Sequence, residues 1–342
     1  MEIIRRYAHA RAGLLGNPSD GYHGKTLSFI IRDFQAEAVL YDWDEVEIVV
    51  TRDDRSRFRS VRELVGDVRL HGYYGGIRLV KATIKKFVEY CARKSESDAA
   101  FRLHDRNFSI RYATDIPRQV GMAGSSAIVV ATLRALMDFY GVTIPKQVQP
   151  SFVLAVESEE LGITAGLQDR VIQVYGGLVY MDFSYDKMTL RDGMWCGTYE
   201  PIDPALLPPI YVAYSTDVGE PTEVFHNNLR ARYEQGDPDV IGAMEKFADI
   251  ARRGRDVLLE RHPEKLGALI DENFDTRRSI CQLPREHIAM VEAARSVGAS
   301  AKFAGSGGAI VGTYEDAAMW ERLREKLEAL NCRLFKPTLG PE

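Results

Sequence analysis

PRQVGMAGSSAIVVATLRALMDFYG, residues 117–141, sets two glycines and two serines between a proline and a long apolar run. The run reads as a helix that starts near Ser125. Gly121 and Gly124 lack a Cβ, which lets backbone N–H groups there approach a ligand closely. The start of the helix presents unpaired N–H groups and the positive end of its dipole. Together these favour a phosphate. Ser125 or Ser126 is the expected N-cap, and one of the two hydroxyls is placed to meet a phosphate-bound Mg2+. A P-loop is missing because no lysine follows Gly124, and a Rossmann GxGxxG is missing too. A plain glycine loop with a serine cap fits the same residues, so the meaning of the stretch depends on partners elsewhere.

Three other stretches offer such partners. ARAGLLGNPSDGYHGK, residues 10–25, clusters Asn17, Ser19 and Asp20 where a strand runs into a turn. Groups of this kind bind the hydroxyls of a polyol and discriminate strongly between substrates. An ordinary Asn-Pro-Ser-Asp turn is the plain alternative. ESEELGITAGLQDR, residues 157–170, holds Glu157 and Asp169 on either side of a break from Gly162 to Gly166. The break lets the chain double back and aim both carboxylates at one place, as phosphoryl transfer requires. Glu159 and Glu160 read as a solvated helix end, whereas Asp169 has apolar flanks. KFAGSGGAIVG, residues 302–312, is either a hairpin turn or a second backbone wall over phosphates.

Bulk properties narrow the class. The chain has 342 residues, with 45% hydrophobic and 27% charged residues and a formal net charge of −5. That length exceeds one small core and predicts two domains. The acidic balance gives no support to nucleic-acid or membrane-surface binding, while a local basic pocket for an anionic small molecule stays compatible with it. The cysteines, Cys91, Cys196, Cys281 and Cys332, lack CxxC spacing, which argues against a disulfide framework or a structural zinc site. The N-terminal residues lack the apolar centre of a secretory signal, and no apolar run approaches the ~20 residues of a membrane span. A cytoplasmic protein is expected.

Strands are predicted over IIRRYAHARAGLLG, KTLSFIIRD, QAEAVLYD, VEIVVT, NFSIRYATDI, GGLVYMDF, PIYVAYS and CRLFKP. GGIRLVKATIKKFVEYCARK reads as a helix burying Ile77, Val80, Ile84, Phe87 and Val88. Helices are also predicted near 150–160, over QDRVIQVY, across about 222–296 with breaks near Gly236 and His262-Pro263, and over EDAAMWERLREKLEAL. A proline-bearing stretch near 184–209 suggests a division into residues 1–200 and 201–342. Strands and helices without regular alternation indicate the α+β class.

Taken in order, these stretches resemble the GHMP kinases. Arg11 to Asp20 looks like the family's Arg-x-x-x-x-Gly-(Glu/Asn)-x-x-Asp run, PRQVGMAGSSA like its Pro-x-x-x-Gly-Leu-Gly-Ser-Ser-Ala motif, and KFAGSGGA like its lysine and glycine-rich loop. LLGNPSDGYHGKT, GYYGGIRL, ELGITAGLQDRVIQVYGGLVYMDF and NFDTRRS are similar to the plant-type glucuronokinase branch. Met122-Ala123 stands where the family has Leu-Gly, a lost glycine that is expected to tighten the loop. Asn17 stands where galactokinases carry Glu, which argues against galactose.

The resemblance implies two domains: an N-terminal one of the ribosomal protein S5 domain 2-like fold and a ferredoxin-like C-terminal one, with ATP between them. It implies Mg2+- and ATP-dependent phosphorylation of the anomeric hydroxyl of D-glucuronate. Pro117 and the backbone of Val120, Gly121, Met122, Ala123, Gly124, Ser125 and Ser126 would hold phosphates, with Gly305, Ser306 and Gly307 opposite. Ser126 and Glu157 would bind Mg2+. Asp169 would orient or deprotonate the sugar hydroxyl, with Arg11 beside it. Asn17 and Asp20 would bind ring hydroxyls. Lys25, Arg170, Arg277 and Arg278 are the candidates for the uronate carboxylate. Galacturonate, a heptose or another aldose is the rival substrate. A non-catalytic binding protein would have lost Asp169, Ser126 or Glu157, and all are present. Oligomeric state is left open.

Overall fold

The computed structural model describes residues 2–49, 75–216 and 223–340. Its first strand, β1 (Ile3–Leu15), pairs antiparallel with β2 (Lys25–Trp43). Ala8 and every residue from Ala10 to Leu15 are buried, so this end of the strand is covered on both faces. The segments read separately as KTLSFIIRD and QAEAVLYD form this single β2. The polar residues between them do not turn the chain. They are absorbed where the register with β1 shifts, at His9/Ala10, and Asp33 there accepts a hydrogen bond from Thr338 N at 2.8 Å.

β3 (Glu47–Ile48) runs parallel to β4 (Asn107–Thr114), and Val50 and Thr51 of VEIVVT lie outside the described residues. Between them α1 (Ile77–Ser95) buries Val80 and Phe87 fully, but Val88 is exposed. The apolar stripe continues instead through Tyr90 and Cys91, three and four positions beyond Phe87. Next come α2 (Gly124–Tyr140), α3 (Gln149–Ala155) with a wider π turn over Val156–Glu160, and α4 (Gln168–Tyr175). β5 (Leu178–Asp182) follows, then a hairpin of β6 (Thr189–Arg191) and β7 (Met194–Cys196), then β8 (Thr198–Ile202). The first sheet runs β3-β4-β2-β5-β8, with β1 also on β2. α2 is apolar around most of its circumference because it is buried under this sheet.

The second sheet begins at β9 (Ile210–Ser215). Helices α5 (Glu223–Glu234), α6 (Pro238–Leu259), α7 (Leu266–Ile280) and α8 (Arg285–Arg295) lead to the hairpin β10 (Lys302–Phe303) and β11 (Ala309–Thr313). α9 (Ala317–Glu328) and β12 (Cys332–Phe335) complete it. The order β10-β11-β9-β12 is antiparallel throughout, the split β-α-β arrangement of a ferredoxin-like unit. The chain thus has the α+β fold of two sheet-and-helix halves. One apolar cluster spans both, joining Leu15 and Val129 to Ile250, Ala251, Leu258 and Val311. The end of β1 is the seam: a Cβ on Gly254 of α6 would overlap the Leu15 side chain.

Candidate active site

α2 begins at Gly124, and its N-cap is Ala123, without a side-chain cap bond. Neither Ser125 nor Ser126 caps the helix. The turn instead shapes its own backbone: Gln119, Gly121 and Ala123 have φ of 60°, 71° and 63°. Left-handed residues at alternate positions line successive N–H groups along one concave side, the geometry that receives an anion. Val120 and Met122 are buried, which fixes the turn to the core. Ala123, where the family motif has a glycine, holds the left-handed conformation that glycine would adopt without strain.

The two serines divide their tasks. Ser125 Oγ donates to Glu157 Oε1 at 2.8 Å. Ser126 is fully buried and donates to Ala123 O at 3.2 Å. The hydroxyl beside Glu157 is therefore that of Ser125, a correction to the pairing expected from the sequence. Among the described residues no group of three or more His, Cys, Asp or Glu could hold a metal ion by itself. The Ser125–Glu157 pair of hard oxygens does fit Mg2+ brought in on a nucleotide, which needs only one or two protein ligands.

β1 reaches both glycine loops. Arg11 N donates to Met122 O at 3.3 Å, and Gly13 N to Ala304 O at 2.8 Å. The Arg11 side chain donates from Nε to Asp169 Oδ1 at 2.6 Å and from Nη1 to Gly121 O at 2.5 Å. Burial pushes the Asp169 carboxyl up, but Arg11, Arg170 and a hydrogen bond from Gln168 outweigh it and bring the group below the ordinary carboxylate value. Asp20 differs. Its Oδ2 accepts from Gln168 N at 3.2 Å, and Gly166 lies so close that a Cβ there would overlap it. Burial and the charge of Asp169 push Asp20 up to about 6. Two neighbouring carboxyls are thus separated in acidity by their surroundings.

The doubling back across Gly162–Gly166 is present. Arg170 of α4 grips Glu157 Oε2 through Nε at 2.8 Å and through Nη2, and its Nη1 lies 3.5 Å from Asp169 Oδ2. Glu157 is fully buried. Arg170 is committed to these acids and to Gly166 O.

The loop of residues 304–308 packs directly on the Gly-Ser turn. A Cβ on Gly121 would come within 2.8 Å of Ser306 N, and one on Gly305 would overlap Gly121 O. Arg277, buried on α7, donates to Gly305 O at 2.6 Å and Ser306 O at 3.1 Å. It supports the loop and does not stand open to a carboxylate. Lys25 pairs with Asp182 at 2.8 Å, and Arg278 is exposed and pairs with Glu292 at 3.0 Å, so neither meets Asp169. Sequence reasoning missed Gln168 and Asn273. It also gave no role to Lys302, although that lysine stood inside the quoted third motif.

The family model described as "GHMP kinases N terminal domain" matches residues 78–177. Glucuronokinase 1 of Arabidopsis thaliana is 43% identical, with 99% of this chain and 91% of the relative covered. The chain belongs to the GHMP kinases. Probable glucuronokinase 2 of the same plant is 44% identical over 90% of this chain and 84% of its own length. Among solved structures, Lactococcus lactis galactokinase complexed with galactose superposes with a TM-score of 0.74 at 13% identity, covering 99% of this chain and 94% of the other. Methanococcus jannaschii mevalonate kinase gives 0.70 at 16% identity, covering 99% of each. At such identities these two establish the GHMP kinase fold. As a GHMP kinase the protein is a phosphotransferase with an alcohol group as acceptor. Among the described residues no helix is long and apolar enough to cross a membrane.

Proposed function

We propose that this GHMP kinase transfers the γ-phosphoryl group of ATP to the anomeric hydroxyl of D-glucuronate, giving glucuronate 1-phosphate. The relatives at 43% and 44% identity carry the name glucuronokinase, which supports the acceptor. The observation that carries the chemistry is the Arg11 side chain, which holds Asp169 and Gly121 O together. The acceptor-side acid and the phosphate turn are thereby kept in one fixed relation.

Phosphoryl transfer passes through a loose transition state, so placement and fixed positive potential do most of the work. Backbone N–H groups of residues 120–126 cradle the phosphates, and the loop at Gly305–Gly307 closes the other side. Mg2+, when bound, neutralises charge on the phosphates, with Ser125 and Glu157 as its protein oxygens. Asp169 is held ionised; it orients the acceptor hydroxyl and takes up its proton. Asn17 and Asp20 bind the sugar. Residues 1–200 would carry most of the acceptor site and residues 201–342 the closing wall.

A second reading is another aldose as acceptor. It draws on one observation: Lys25, Arg170, Arg277 and Arg278 are all engaged by protein acceptors. Incubation with Mg-ATP and a panel of uronic acids and aldoses, followed by phosphorus NMR of sugar 1-phosphates, decides. Glucuronate is expected to react fastest. A neutral aldose reacting faster would replace the assignment.

A further inference from the structure

Lys302, on β10 of the second half, is buried to 2% exposure. Its ammonium donates to Gly13 O at 2.6 Å, Phe303 O at 2.8 Å and Asn17 Oδ1 at 2.6 Å. No acid pairs with it among the described residues. Arg277 is likewise buried and without an acid partner, but its Nη1 and Nη2 serve the glycine loop that faces the phosphates, leaving a buried Nε unpaired. Lys302 serves the sugar-side turn.

An ammonium has three donors and no acceptor. The carboxamide of Asn17 must therefore turn its oxygen to Lys302, and the amide flip is decided by chemistry. That leaves the Nδ2 donors. Asn17 is 5% exposed, and the hydrogen bond its side chain makes among the described residues is the one from Lys302. The backbone is pinned as well: Gly16 N donates to Asn273 Oδ1 at 2.6 Å, and Asn273 Nδ2 donates to Asn17 O at 3.3 Å. The Asn17 carboxamide lies beside Gln168, which precedes Asp169. A Cβ on Gly13 would sit 3.1 Å from Asn17 Cγ and 2.7 Å from Gln168 Nε2. Gln168 Oε1 is a buried polar atom left without a partner. These two polar groups around one bare glycine, next to the acceptor-side acid, mark the place of a polar ligand.

We propose that Lys302 is a positioning residue that makes Asn17 a hydrogen-bond donor, and that Asn17 Nδ2, backed by the lysine charge, reads the carboxylate of the uronate. Burial and the charges of Arg277 and Arg11 push the Lys302 ammonium well below the ordinary lysine value, so an anionic ligand nearby favours its charged form and a neutral one does not. This would let the site select an acid although Lys25, Arg170 and Arg278 are paired with acids and Arg277 keeps only a buried Nε unpaired. It rests on the glucuronate reading above.

The test compares glucuronate with glucuronamide, its neutral isostere, using wild type, Asn17→Asp and Lys302→Met. Binding constants are measured as well as kcat/KM. Asn17→Asp keeps a partner for Lys302 but presents an acceptor to the sugar. Glucuronate should weaken by roughly 10- to 100-fold while glucuronamide holds or improves, so the preference reverses. Lys302→Met should raise KM for glucuronate about tenfold or more and leave KM for ATP unchanged. Equal losses for both sugars in Asn17→Asp, or a parallel rise in both KM values in Lys302→Met, would overturn the proposal. A wild-type protein that makes no glucuronate 1-phosphate overturns the glucuronate reading and this inference together. A wild type that makes it, with variants whose selectivity is unchanged, overturns this inference alone.

Discussion

The site has two arginine–carboxylate pairs, one at each end, and they are built differently. At the acceptor end, Arg11 touches one oxygen of Asp169, and the aspartate side chain keeps 19% of its surface exposed. At the helix end, Arg170 and Ser125 engage both oxygens of Glu157, whose side chain is fully buried. The first pair keeps its carboxylate partly exposed, with the second oxygen 3.5 Å from Arg170 Nη1. The second is closed within the protein and holds the Glu157 carboxylate and the Ser125 hydroxyl in place at the start of α2, where Mg2+ would meet them. The more exposed pair meets the acceptor, and the closed pair holds its groups rigidly in place.

Substitutions at the two ends should separate these roles. Asp169→Asn is expected to lower turnover by about 10³-fold or more, with ATP affinity nearly unchanged. Near wild-type turnover in steady-state kinetics would show the open end to be architectural too. Glu157→Gln leaves Arg170 buried without its main counter-charge. It should lose about 3–5 kcal/mol of stability in chemical denaturation, far more than Asp169→Asn. Equal losses in the two variants would erase the distinction.

Asp20 sharpens the acceptor end through pH. Its folded-state value of about 6 lies above the ordinary value of 3.8, so the folded protein prefers the protonated form. The stabilisation this brings is fully present below 3.8 and lost as pH rises through 6. Asp169 acts in the opposite sense, its contribution disappearing only below the ordinary carboxylate range. Between pH 4 and 7, Asp20→Asn should therefore remove a fall in stability with rising pH of about 2–3 kcal/mol. Parallel pH profiles of wild type and variant would contradict the burial of this carboxyl. The smallest effect expected is that of Ala123→Gly. Relief of the left-handed strain is partly offset by unfolded-state entropy, for a net gain under about 1 kcal/mol by thermal melting. A loss of stability would mean that the Ala123 methyl group packs usefully.

Much of this was legible in the chain. The strand and helix segments follow from period-two and period-3.6 patterns, and the Gly-Ser turn announced a helix start that could receive phosphate. The serine cap was misjudged because the turn takes its shape from alternating left-handed residues, which backbone geometry shows and residue type does not. β2 was split at Arg32-Asp33 because a bulge and a turn use the same polar residues. Val88 was placed inside because it neighbours Phe87 in a run where the buried stripe is narrower than the apolar composition.

What the sequence determined by itself was the class: glycine-flanked acids, a phosphate turn and a third glycine loop, in an order that local chemistry makes readable. What only tertiary structure decided was the partnership of charges. Arg170 and Arg277 read equally well as substrate ligands until the fold gave one to Glu157 and the other to the carbonyls of Gly305 and Ser306. Lys302 and Asn17, 285 positions apart, meet only because β10 crosses the end of β1. Backbone preference is set by neighbours along the chain, whereas the fate of a charge depends on what burial places within about 4 Å of it, at any distance in sequence.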